Sequence, residues 1–176
     1  QGYMFKNDVM ILDLVAHNNW ERPIYFAGTA DAETYMGLGD YFLMTGLNYK
    51  FVPMKNQNPN PREFGKIDTD TMYKMFMEVY RWGNMNGEGV YVDYYTRRLT
   101  NNYRLQFLNL AEALNSEARE AQGKLSYYQM QIRVTEDSLK RGSNSAMEQR
   151  LVNLKAQEKK NQEIIEAKHN RASKVL

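Results

Sequence analysis

The sequence predicts an α+β fold that is mostly helical: a small α/β unit with a two- to three-stranded sheet, followed by a long antiparallel helical hairpin. Three observations carry this. Twenty of the 22 aromatic residues, all four prolines and nine of the eleven glycines precede residue 115, as expected of a compact mixed fold followed by solvated helix. Short apolar runs at 24–27 and 49–52 are bounded by turn residues, which marks strands. From Tyr103 onward apolar residues recur at steps of three and four, the spacing of one helix face. The expected division is a mixed α/β domain over residues 1–98 and a hairpin over 99–176.

The composition sets bounds. Apolar content of 43% and charge of 25% are those of a globular domain. A net charge of +2 gives no strong draw toward nucleic acid, so no such partner is expected. No run approaches the roughly 20 apolar residues that span a bilayer. With no cysteine there is neither a disulfide nor a thiolate metal site. The chain opens on Gln1 without an initiator methionine and stops at Leu176 inside a helical pattern lacking a C-cap glycine. Both ends therefore read as cut from a longer protein.

In order, Asn7 or Asp8 caps a helix through Val9, Met10, Ile11, Leu12, Leu14, Val15 and Ala16, apolar nearly all round and hence expected to be largely buried. Asn18-Asn19 ends it, and a tight turn carries Trp20 and Arg22. Pro23, which fixes φ and lacks an N–H, starts the first strand, closing on Gly28. Tyr41-Phe42-Leu43-Met44 reads as a short helix stopped by Gly46, and Tyr49-Lys50-Phe51-Val52 as a second strand. That order suggests a parallel pair with a short crossover. Residues 56–61 form a proline-rich surface loop. Asp68 or Thr69 caps a helix with Met72, Met75, Phe76, Val79 and Tyr80 on one face, and Val90-Tyr91-Val92 is briefly extended.

The hairpin is read more finely. Tyr103, Phe107, Leu110, Leu114, Ala118, Ala121, Leu125, Tyr128, Ile132, Thr135 and Leu139 line one arm, with a stutter at Leu114. Gly123 costs about 1 kcal/mol there and marks a place for a break. After a turn at 141–145, with Ser145 as a cap, Met147, Leu151, Leu154, Glu158, Asn161, Ile165, Lys168, Ala172 and Val175 keep a strict heptad. Its seam turns polar at Glu158, Asn161 and Lys168.

Candidate chemistry is sparse. Gly37-Leu38-Gly39 fails as a dinucleotide turn, because Phe42 occupies the third glycine position and the strand ends too early. His17 and His169 have no second ligand at metal spacing, so no metal and no cofactor are expected; His17 sits where its ring meets free helix carbonyls. Asp31, Glu33, Asp40, Asp68 and Asp70 offer carboxylates that nothing pairs, and the last three have capping explanations. The methionines at helical spacing read as core filler. Lysines and arginines of the hairpin alternate with glutamates, which is a solvated face. No catalytic residue is assigned. The binding candidates are Trp20, Arg22, Tyr35, Trp82, Asn84 and Asn86, aromatic and amide groups on turns, suited to stacking on sugar rings and hydrogen-bonding hydroxyls. Against this stands the plainer reading that Trp20 and Trp82 plug the small domain.

Several segments carry a family likeness. Asn18-Asn19-Trp20-Glu21-Arg22-Pro23-Ile24-Tyr25-Phe26, Tyr35-Met36-Gly37-Leu38, Gly46-Leu47-Asn48-Tyr49-Lys50-Phe51-Val52-Pro53, Arg81-Trp82-Gly83-Asn84-Met85-Asn86 and Leu110-Ala111-Glu112-Ala113-Leu114 occur in order. Together, over residues 3–114, they resemble the C-terminal soluble region of a bacterial multi-spanning membrane family of unknown function, similar to GT-C type protein O-mannosyltransferases. The resemblance implies a location at the periplasmic face of the inner membrane, the membrane-embedded remainder of the parent chain as partner, and acceptor protein or glycan as ligand. It places the transferase's catalytic acid outside this chain. It also implies tetratricopeptide-like repeats downstream, since residues 168–176 are similar to a first repeat helix, while 115–165 depart as an inserted arm. Asp70-Thr71-Met72 and Asp137-Ser138-Leu139 are similar to a bacterial O-glycan acceptor motif; both lie in helical patterns and neither is expected to be modified.

The leading expectation is a non-catalytic accessory domain that positions acceptor or stabilises the assembly. The alternatives are an interaction or self-association module built on the hairpin, and a small glycan hydrolase using Asp31, Glu33 or Asp40.

Overall fold

A computed structural model describes residues 4–56, 65–81, 83, 85, 87–142 and 144–176. The chain divides into two compact units, 1–106 and 107–176, with the division inside one long helix.

In the first unit, helix α1 (Lys6–His17) leads into strand β1 (Tyr25–Ala27), followed by β2 (Phe42–Met44), β3 (Asn48–Phe51) and β4 (Lys66–Ile67). The strands form one sheet in the order β1-β3-β2-β4. β3 runs antiparallel to both neighbours, pairing Phe26 with Tyr49 and Phe42 with Phe51, while β2 and β4 are parallel. Two sequence expectations are corrected. Residues 42–44 are a strand and not a helix, and the two expected strands are antiparallel neighbours. The cause is local: Gly46 lies in a tight turn between two aromatic-rich runs, and the Thr45 amide donates to the Asn48 carbonyl at 3.3 Å. A hairpin then needs no crossover. The helical turns fall earlier, as 3₁₀ segments at Ala32–Tyr35 and Leu38–Tyr41.

The core of this unit is aromatic. Phe26, Tyr35, Phe42 and Phe51 are buried together, with Phe42 fully enclosed. Phe26 and Phe42 lie 4.8 Å apart between ring centroids, and Tyr35 meets Phe42 edge to face at 5.3 Å. Gly28 is needed where β1 meets the hairpin turn: a Cβ there would lie 2.5 Å from the Leu47 carbonyl oxygen.

Helix α1 departs from expectation. None of its residues is buried; Ile11 and Val15 pack against the aromatic core, whereas Val9, Met10, Leu12 and Leu14 are exposed. Strands of two to four residues offer too little surface to cover more than one face of a twelve-residue helix.

Helix α2 (Thr69–Lys74) is capped by Asp68, whose Oδ1 accepts from the Thr71 amide at 3.1 Å. It continues as a π-turn over Met75–Val79. Met72 and Phe76 are buried, as their spacing implied, but the wider turn rotates Val79 into solvent. The same turn brings the Tyr80 hydroxyl to the Leu47 amide at 3.4 Å. Residues 90–92 pair with no strand among the described residues. The proline-rich loop lies outside the described residues beyond Asn56.

Helix α3 (Tyr94–Arg141) starts earlier than expected, because Asp93 caps it, and it passes Gly123 without a break. Its first turns belong to the first unit. In the second unit, α3 from Phe107 packs against α4 (Ser145–Val175), capped by Asn144 in place of Ser145. The arms are antiparallel: Lys168 meets Glu117 at 2.7 Å, Glu158 accepts from Gln129 at 3.2 Å, and Lys155 meets Glu136 at 2.9 Å. The expected seam is observed except at Met147, which the start of α4 leaves exposed. Leu110, Leu114, Ala118, Ala121, Leu125, Ile132 and Thr135 are buried on α3, and Asn161, Ala172 and Val175 on α4. The polar seam positions are satisfied in place, Asn161 by the Gln157 carbonyl at 2.8 Å and Lys168 by Glu117. Among the described residues no helix is long and apolar enough to cross a membrane.

Candidate functional site

The turn at 18–22 is conformationally unusual. Asn19 and Trp20 both adopt positive φ, +46° and +60°, in the left-handed region that side chains with a Cβ disfavour. Three contacts hold it. The Glu21 amide donates to the Asn18 carbonyl at 3.0 Å, the Asn18 side-chain amide donates to the Arg22 carbonyl at 2.8 Å, and Trp20 stacks on Phe51 at 5.4 Å. Trp20 is 51% exposed, so one indole face covers the core and the other meets solvent.

Arg22 is exposed beside Trp20. Tyr35 is a correction: it is 3% exposed, and its hydroxyl donates to the Ala27 carbonyl at 2.9 Å. Burial, followed by nearby Tyr49 and Asp31, pushes its pKa up. An aromatic on a 3₁₀ turn against a sheet is drawn into the core, and its hydroxyl then needs a partner. Trp82, Asn84 and Asn86 lie outside the described residues.

The described residues Arg81, Gly83 and Met85 border a concave surface of the first unit. Two clefts flank Met85 and Thr100. One, of about 440 Å³, is lined by Leu47, Tyr80, Met85, Thr96, Leu99 and Tyr103, with Arg81 at its edge. The other, of about 430 Å³, is lined by Val90, Val92, Arg97, Asn101 and Arg104. The capped start of α3 fixes both. The Thr96 amide donates to Asp93 Oδ1 at 2.7 Å, and hydrogen bonds from Thr96 hold the Asp93 carboxyl below the usual carboxylate range. The Thr100 hydroxyl donates to the Thr96 carbonyl at 2.8 Å. Steps of three and four from Arg97 to Arg104 place these groups on one helix face. That signal was present in the sequence, hidden by the expectation that α3 begins near Tyr103.

Among the described residues the candidate carboxylates form no shared acidic site. Asp31 and Glu33 are exposed, and Asp40 pairs with Lys55 at 2.9 Å, which raises the lysine's pKa. His17 Nδ1 lies 2.9 Å from the Asp13 carbonyl, the helix-end contact its position implied. Among the described residues no cluster of three metal-binding side chains occurs. Thr71 and Ser138 in the two glycan-like motifs direct their hydroxyls to Asp68 and to the Val134 carbonyl.

Comparison with known proteins gives one family and no individual relative. No curated protein and no solved structure matches the chain. Residues 1–71, which hold α1, the whole sheet and Leu47 of one cleft but none of the other cleft residues, match the family described as TMEM260-associated domain 2, a similarity to a TMEM260-like family.

Proposed function

We propose that the chain is a non-catalytic accessory domain of a TMEM260-like membrane protein of the glycosyltransferase type. It sits at the periplasmic face of the inner membrane and holds acceptor protein or glycan beside the membrane-embedded part. The observation that carries this reading is the match of residues 1–71 to a TMEM260-associated domain. The likeness of residues 3–114 to the soluble region of a GT-C-like family supports the location and the ligand class. The paired clefts supply a surface with apolar walls and hydrogen-bonding groups, the composition of a recognition site.

Photo-crosslinking tests it. A photoreactive amino acid replaces Met85 in the parent protein in its native membrane, with Arg133 on the distal part of α3 as the control position. Adducts to glycosylated proteins or glycans from position 85 alone support positioning. Equal adducts from both positions, or adducts to lipid alone, overturn it.

A second reading is a self-association module. Tyr127, Met130 and Val134 form an exposed apolar stripe on α3, spaced by three and four residues, and Val152 is exposed on α4. Such stripes mark helix-to-helix contacts. Light scattering across a concentration series tests it: a mass that rises with concentration and falls back in Met130→Glu supports the module, and a constant monomer mass removes it.

A further inference from the structure

We propose that the cleft formed by Met85, Val90, Val92 and the first turns of α3 binds an extended acidic peptide. This deepens the positioning reading, on which it rests, by naming the ligand's chemistry.

Arg97 and Arg104 stand on one face of α3, two turns and about 10 Å apart along its axis, in the wall of a single cleft. Neither guanidinium is in an ion pair among the described residues, although lysines at 55, 124, 140, 155 and 168 all are. Two like charges facing one concavity without a counter-ion repel, and a ligand carrying carboxylates removes that repulsion while gaining charge-assisted hydrogen bonds.

The nearest carboxylate along the helix does not do this. Asp93 accepts from the Thr96 amide and caps α3, so both the helix end and this acid are already engaged.

The rest of the cleft suits a polypeptide. Asn101 lies between the two arginines and offers an amide that can pair with a peptide N–H and C=O together. The Thr100 hydroxyl donates to Thr96 and keeps only acceptor capacity. Met85, Val90 and Val92 give an apolar wall. Beyond the ridge of Met85 and Thr100, which both clefts share, Leu99, Tyr103 and Leu47 accept an apolar or aromatic side chain. A span of about 10 Å equals about three residues of extended chain, longer than one phosphate or carboxylate covers. Side chains on one side of an extended chain recur about every 7 Å, and the long, exposed arginine side chains can take up the difference, so the favoured occupant carries acidic residues at alternate positions with apolar residues between them.

Fluorescence anisotropy on the full 176-residue chain tests this, using a fluorescein-labelled heptapeptide of alternating glutamate and phenylalanine and its glutamine counterpart. The acidic peptide should bind at low ionic strength and weaken about tenfold as salt rises toward physiological strength. Arg97→Gln and Arg104→Gln should each weaken it about tenfold, with Arg133→Gln unchanged. Both cleft arginines are exposed, so circular dichroism should report an intact fold. Equal binding of the glutamine peptide, wild-type binding by both cleft variants, or no binding at low salt overturns the inference. So does displacement by inorganic phosphate where chloride of equal ionic strength has no effect, which assigns the cleft to a small anion. Failure here with crosslinks from position 85 intact removes the acidic preference alone. Loss of those crosslinks with arginine-dependent binding intact removes the positioning role alone.

Discussion

Replacing Trp20 by alanine and by glycine separates packing from backbone strain at the turn between α1 and β1. The side chain stacks on Phe51 and is 51% exposed, so about half of its roughly 250 Å², near 120 Å², is out of water. At about 25 cal/mol per Å² its removal costs about 3 kcal/mol in either variant. The two differ in the backbone. With φ at +60°, alanine keeps a left-handed cost of about 1–2 kcal/mol that glycine does not have. Glycine gives back about 0.5–1 kcal/mol through its freer unfolded chain. Trp20→Gly should therefore be more stable than Trp20→Ala by about 0.5–1 kcal/mol, the reverse of their order in a helix. Urea unfolding followed by near-ultraviolet circular dichroism reads this, because the aromatic signal reports the first unit while the hairpin dominates the far ultraviolet. Alanine more stable than glycine would refute the left-handed turn, and unfolding midpoints within error of wild type would refute the stack.

Two further predictions concern α3. Gly123→Ala should stabilise the hairpin by about 1 kcal/mol, since nothing beyond the adjoining residues and backbone of its own helix lies within 4 Å of where the Cβ would go and the helix is continuous there; a thermal scan showing a lower midpoint would contradict this. The Asp93 carboxyl is held below its ordinary range by Thr96, so its capping contribution is present above the unfolded value and is lost as pH falls through the lowered folded value. Thr96 amide protection, followed by hydrogen exchange, should persist as pH drops through the ordinary carboxylate range and disappear only below it. Loss within that range would argue against the cap.

The hairpin was legible because one rule governs it. Every position from Leu110 to Thr135 placed on the seam by steps of three and four is buried or half-buried, and the polar seam residues have found local partners. The small unit was less so. Tyr41-Phe42-Leu43-Met44 carries helix-forming and strand-forming residues alike, and only pairing with β3 and β4 decides for a strand. Val79 was placed on the buried face by a 3.6-residue period that the π-turn breaks. The apolar run in α1 implied burial, but sequence shows only that a residue is apolar and not whether the sheet beside it is large enough to cover it. Of the candidate site residues, Trp20 and Arg22 are where a ligand could reach them, Tyr35 is not, and Arg97 and Arg104 escaped notice because no periodicity marked them as a pair until the helix start at Tyr94 was known.

The proposed role is to present acceptor and to leave the chemistry to the membrane part of the parent protein. Sugar transfer by the parent protein carrying Leu99→Ala, a surface change in the wall of the apolar cleft, is the decisive readout of that role. A positioning role predicts a KM for acceptor raised several-fold with kcat and the donor KM unchanged, and no transfer by the isolated 176-residue chain. A collapse of kcat at unchanged acceptor KM, or transfer by the isolated chain, would contradict it.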